Sequence, residues 1–60
     1  MQDKQLNELL TLAKEEQEAG NMARAALIYE TISKYIKAKN SGAPQYYIDY
    51  LIEFIKSGAT

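Results

Sequence analysis

Cysteine and histidine are both missing from the chain. Without thiols there is no disulfide to staple the fold and no thiol chemistry. Without imidazole the commonest metal ligand and the commonest general base are gone. No nucleophile–base pair is left, so the expectation is a protein that is not an enzyme and holds neither metal nor cofactor. Neither sign of charge dominates: the net charge is −1. That argues against a nucleic-acid partner, which needs a basic surface. No apolar run is long enough to span a bilayer core of roughly 30 Å. The N-terminus is polar and shows no signal peptide, and the lack of cysteine leans toward a reducing, cytoplasmic setting. Glycine and proline are scarce, at three and one, and they punctuate the chain.

What is present is a folding composition, 47% hydrophobic over 60 residues. A chain this short makes one domain at most, here taken as 1–60, and buries only about 60% of the surface its unfolded form exposes. Three apolar-periodic segments predict an all-α, up-down-up three-helix bundle with helices over about 4–19, 22–39 and 43–56. Met1 to Gln5 reads as a frayed start, with Asp3 a candidate N-cap. Leu6, Leu9, Leu10 and Ala13 form one face of the first helix, with Leu12 at its edge. Gly20 suits the left-handed residue that ends a helix, and Asn21 reads as the N-cap of the next. A joint this tight predicts an antiparallel hairpin.

On the second helix Met22, Ala25, Ile28, Tyr29, Ile32 and Ile36 make the expected inward stripe. Leu27 falls on the opposite side with Glu30 and Lys34, as an ordinary exposed leucine. Residues 1–20 carry five acids and two bases, net −3, and residues 24–39 carry four bases and one acid, net +3. Folding back therefore sets the acidic end of helix one beside the start of helix two, and brings Asp3 and Glu8 toward the lysines. Lys34, Lys37 and Lys39 crowd a helix C-terminus, where the macrodipole favours cations. Glu15, Glu16 and Glu18 read as a solvated face. Gly42 turns the chain, Pro44 fits a first helical turn, and Ser41 or Gly42 is the candidate cap. Ser57 to Thr60 is a tail with Gly58 as a stop.

The run Leu9, Leu12-Ala13, Gly20, Ala25, Tyr29 keeps the register of a tetratricopeptide repeat, a helix hairpin of about 34 residues, and the chain resembles that family over Leu9 to Ala38. Leu9 stands where the family usually has tryptophan and Glu16 where it usually has tyrosine. Ala19-Gly20-Asn21, Ala25 and Leu27-Ile28-Tyr29 are also similar to the microtubule-interacting and trafficking domain, and the single hairpin to the mitochondrial presequence-import receptor. These resemblances imply a repeat-like hairpin with a capping helix, and recognition of a peptide or helix.

The third segment carries the functional expectation. In Tyr46 to Ile55, eight of ten residues are apolar or aromatic. Only Asp49, Glu53 and then Lys56 break the pattern, on one narrow line. Its apolar arc exceeds the roughly 100° stripe of an ordinary surface helix. Tyr47, Ile48, Leu51, Phe54 and Ile55 are the expected inward centre; Tyr29 is likewise expected in the core. Tyr46 and Tyr50 form one shoulder and Ile52 the other, with Tyr35 of helix two as a neighbour. The expected partner-binding residues are therefore Tyr46, Tyr50, Ile52 and Tyr35, taking a protein or peptide, an amphipathic helix above all, on an apolar surface beside helix three. The alternative is a symmetric homo-oligomer seam on the same surface. A helix-turn-helix is disfavoured, because the third helix carries two acids and one base on an apolar background. The lysines and the aromatic residues are not expected on one face, which also argues against single-stranded nucleic acid.

Overall fold

The computed structural model describes residues 3–57. It is an all-α three-helix bundle: α1 spans Lys4–Glu18, α2 Met22–Ser41 and α3 Gln45–Lys56. Both α1 and α3 pack on α2, which is the central element. The Gly58 stop falls outside the described residues, as do Met1 and Gln2.

Each helix boundary has a local cause. Asp3 caps α1, its Oδ1 accepting from the N–H groups of Gln5 at 3.1 Å and Leu6 at 3.2 Å. The helix is thus already formed at Lys4, so Lys4 and Gln5 are helical where a frayed start is expected. Gly20 ends α1 at φ 87° and Gly42 ends α2 at φ 74°. In both turns the residue after glycine donates back to a carbonyl five residues earlier, Asn21 to Glu16 and Ala43 to Ala38, each at 2.9 Å. That pairing closes a helix end around a left-handed residue. Asn21 holds the N-cap position of α2 but makes no capping bond; its amide donates instead to Glu16 Oε1 at 2.8 Å. Ser41 does not cap α3 either. It is the last residue of α2, and its hydroxyl donates to the Ala38 carbonyl at 3.2 Å. Pro44 itself takes the N-cap position of α3 with extended backbone, ψ 147°, so α3 opens at Gln45.

One apolar cluster joins the helices: Leu9 and Ala13 from α1, Ile28, Ile32, Tyr35 and Ala38 from α2, and Ile48, Leu51, Ile52 and Ile55 from α3. The buried face of α2 is centred on Ile28, Thr31, Ile32 and Tyr35. It is turned by roughly 80° from the expected stripe, at about 100° per residue. Met22, Tyr29 and Ile36 of that stripe lie outside, exposed along one edge, whereas Leu27 is half-buried and Thr31 fully buried. The reason is that a central helix must satisfy two neighbours. Its α3-facing side passes through Leu27, Thr31 and Ala38, and Thr31 is tolerated there because its hydroxyl donates to the Leu27 carbonyl at 2.9 Å.

The bundle measures 34 × 26 × 15 Å. α1 and α3 each pack chiefly on α2 rather than on one another, so each leaves part of its circumference open.

Candidate functional site: an aromatic ridge on α3

The buried residues of α3, Ile48, Leu51, Ile52 and Ile55, span an arc of roughly 100° on the helix circumference. The surplus apolar circumference lies to one side of that arc. Ile52 is 7% exposed and belongs to the core, so its shoulder is closed and its assignment as a contact residue is corrected. On that side Lys56 reaches across to Glu8 of α1, at 4.0 Å between exposed side chains. The other shoulder is open. Tyr46 is 77% exposed, Tyr50 60% and Tyr47 38%. Tyr47, expected inward, is therefore a member of the open edge.

These rings form a row. The Tyr47 and Tyr50 centroids lie 6.5 Å apart at an interplanar angle of 25°, and those of Tyr50 and Phe54 lie 6.4 Å apart at 36°. Half-buried Phe54 closes the inner end, and Tyr46 stands outermost. The lysines of α2 flank the row. Lys34 and Lys37 share a depression with Tyr47, and Lys34 shares a second with Tyr50 and Phe54. Bases and aromatic rings thus do meet on one face, contrary to the sequence expectation. The same 80° rotation of α2 that buries Thr31 turns Lys34 and Lys37 toward α3. The sequence signal was the spacing of Leu27, Lys34 and Ala38, which follows the buried side of α2 once Thr31 is taken as inward.

Tyr35 is placed elsewhere. It is 2% exposed, in the seam between α1 and α2, so it is corrected from contact residue to core. Its hydroxyl donates to Asp3 Oδ2 at 2.9 Å, while Lys39 stands 5.8 Å above the ring. Burial, reinforced by the neighbouring carboxylate, pushes the Tyr35 hydroxyl up to about 12. The Asp3 carboxyl is held below its usual range, first by the Leu6 N–H and then by the Tyr35 hydroxyl. One aspartate therefore caps α1 and ties it to α2.

A second polar junction sits at the opposite end. Arg24 pairs with Glu16 of α1 at 3.3 Å and donates from Nη2 to the Ile55 carbonyl of α3, also at 3.3 Å. Glu16 is partly buried, whereas Glu15 and Glu18 are exposed. The Asn21 amide, and after it Arg24, holds the Glu16 carboxyl below its usual pKa range. The acidic end of α1 does meet the start of α2, as the charge distribution predicts, and Asp3 does approach Lys39. Glu8 instead meets Lys56 of α3.

Two other surfaces compete with the ridge. Between α1 and Lys56 runs an open groove of about 560 Å³ with Leu9 and Leu12 at its floor. Leu9 is buried and Leu12 half-buried, and Lys4, Glu8, Glu15 and Lys56 crowd the rims, so its apolar floor lies between charged side chains. Along α2, the exposed edge of Met22, Tyr29 and Ile36 repeats every seven residues and is interrupted by polar Ser33. The ridge presents the largest contiguous rings of the three. Among the described residues no group of three or more acidic side chains gathers as a metal site, and no helix is long and apolar enough to cross a membrane. Comparison with protein-family models, curated proteins and solved structures gives no match to this chain.

Proposed function

We propose that this protein is a non-enzymatic protein–protein interaction module that docks a helix or peptide on the Tyr46–Tyr47–Tyr50 ridge of α3. The observation that carries this reading is the one-sided surplus: three large rings on one edge of one helix, Tyr46 and Tyr50 mostly uncovered and Tyr47 partly so. Tyrosine is suited to this work, because a rigid amphipathic ring gives contact area at small cost in conformational freedom. A chain without cysteine or histidine supports the non-catalytic part of the reading and suits a cytoplasmic setting. We read the hairpin as tetratricopeptide-like, with α3 as its capping helix. In support, Ala13 and Ala25 of that register are both buried, and Gly20 makes the turn between α1 and α2.

The test uses the intact chain immobilised beside its Tyr50→Glu variant, with helicity followed by circular dichroism. A protein or peptide held by the parent and released by the variant, at equal helicity, supports the ridge. Equal retention by both contradicts it, and collapse of helicity in the variant means that Tyr50 is part of the core.

A further inference from the structure

We infer that the helix seated on this ridge is α3 of a second copy of the chain, running parallel to the first about a two-fold axis along the ridge. The inference rests on the ridge being a contact face and adds the identity and direction of its occupant.

Two observations carry it. The first is the arrangement of charge. Lys34 and Lys37 border the ring row on its α2 side. Asp49 and Glu53 are exposed and follow Tyr46 and Tyr50 by three residues each, which puts them on the outer side of the row. The surface is thus bases, rings, acids, in that order across the ridge, the acid line ending at Lys56, which pairs with Glu8 of its own chain. A two-fold axis along the ridge lays the acids of one copy over the bases of the other, twice. A two-fold axis across the ridge gives antiparallel helices and sets bases on bases and acids on acids. Charge pattern therefore selects the parallel pair. Glu30 lies one turn from Lys34, toward the Phe54 end, so the match is strongest around Lys34, Lys37 and Asp49. The second observation is spacing. Tyr47, Tyr50 and Phe54 follow each other by three and then four residues, the a–d–a spacing by which two helices interlock in either direction, so it fits a helix as occupant and leaves the direction to the charges.

The size of the patch sets the strength. The three tyrosines expose roughly 350 Å², against about 800 Å² per partner in a standard interface. The dimer is accordingly weak and concentration-dependent.

Sedimentation equilibrium of the full chain, from micromolar to millimolar concentration, tests this with two charge variants. Lys34→Glu/Lys37→Glu and Asp49→Lys/Glu53→Lys are each monomeric alone and dimerise when mixed. The direction is tested by Ser57→Cys, which places the only cysteine at the end of the same edge. Mild oxidation cross-links it in a parallel pair, whereas an antiparallel pair crossing at Tyr50 holds the two positions about 20 Å apart. A wild-type monomer at every concentration overturns the second copy. If that monomer still captures another protein through Tyr50, the ridge stands and only its occupant is wrong. If Tyr50→Glu changes no association of any kind, the ridge itself is refuted. A dimer whose Ser57→Cys form resists cross-linking overturns the parallel direction.

Discussion

Replacing Ile52 and Tyr50 by alanine, one at a time, separates the closed shoulder of α3 from the open one. Ile52 is 7% exposed and sits in the cluster that joins the helices. Truncating a buried isoleucine loses its transfer free energy and leaves a cavity, together about 3 kcal/mol. A 60-residue chain has roughly 3–9 kcal/mol of total stability, so this one change removes a large share. Tyr50 is 60% exposed, leaving about 80 Å² of a ring of roughly 200 Å² covered. At about 25 cal/mol/Å² that is around 2 kcal/mol gross. Alanine keeps its own β-carbon contacts and regains about 0.5 kcal/mol in helix propensity, so the net loss is near 1 kcal/mol. Urea unfolding followed by circular dichroism, below the dimer range, reads the difference. With a slope of about 1 kcal/mol per molar, Ile52→Ala shifts the midpoint by roughly 3 M and Tyr50→Ala by roughly 1 M. Equal shifts would refute the division of α3 into a covered and an uncovered side.

Gly20 has φ 87° and open space where a β-carbon would stand. L-Alanine there destabilises by about 1 kcal/mol from backbone strain alone, while D-alanine, introduced by synthesis, stabilises by about 0.5 kcal/mol; thermal melts that rank them the other way contradict the turn assignment. Tyr35→Phe removes the hydroxyl bond to Asp3 and lowers the melting temperature by roughly 5 °C, equivalent to about 1 kcal/mol. Because Tyr35 is raised from 10.0 to about 12 in the fold, its contribution is complete below pH 10 and is lost as pH rises from 10 to 12. Tyr35→Phe abolishes that part of the alkaline stability loss, and an unchanged alkaline profile counts against the buried hydroxyl. Asp3 and Glu16 are both lowered in the fold from values of 3.8 and 4.5. Their contributions are present above those values and disappear as pH falls below them, so Glu16→Gln flattens acid unfolding followed by fluorescence of the tyrosines.

Much of this fold is legible in the residues. Gly20 and Gly42 stand where the backbone needs a left-handed residue, so both joints can be placed from composition alone. Asp3 was recognisable as a cap, and the opposite charges of the two segments announced the Glu16–Arg24 contact. The rotation of α2 was not legible. Met22, Tyr29 and Ile36 offered a better apolar pattern than Thr31 and Ala38, and hydrophobicity cannot show that a threonine will be buried by bonding to its own helix. That error propagated into the site: with α2 turned the wrong way, Lys34 and Lys37 pointed away from the tyrosines. For Tyr35 and Ile52 the ambiguity was of another kind. Both lie at the edge of an apolar arc, where a small difference in helix crossing decides between core and surface. Tyr35 went inward because Asp3, 32 residues away in sequence, meets its hydroxyl.

We propose that the open flank of α3 is where this molecule meets another helix. With five tyrosines and one phenylalanine, the ring resonances can be assigned and followed by NMR over a dilution series. Concentration-dependent shifts are expected at Tyr46, Tyr47, Tyr50 and Phe54 alone, with Tyr29 and Tyr35 unmoved. Shifts at Tyr29 and Met22 instead, with the α3 rings unchanged, would contradict it.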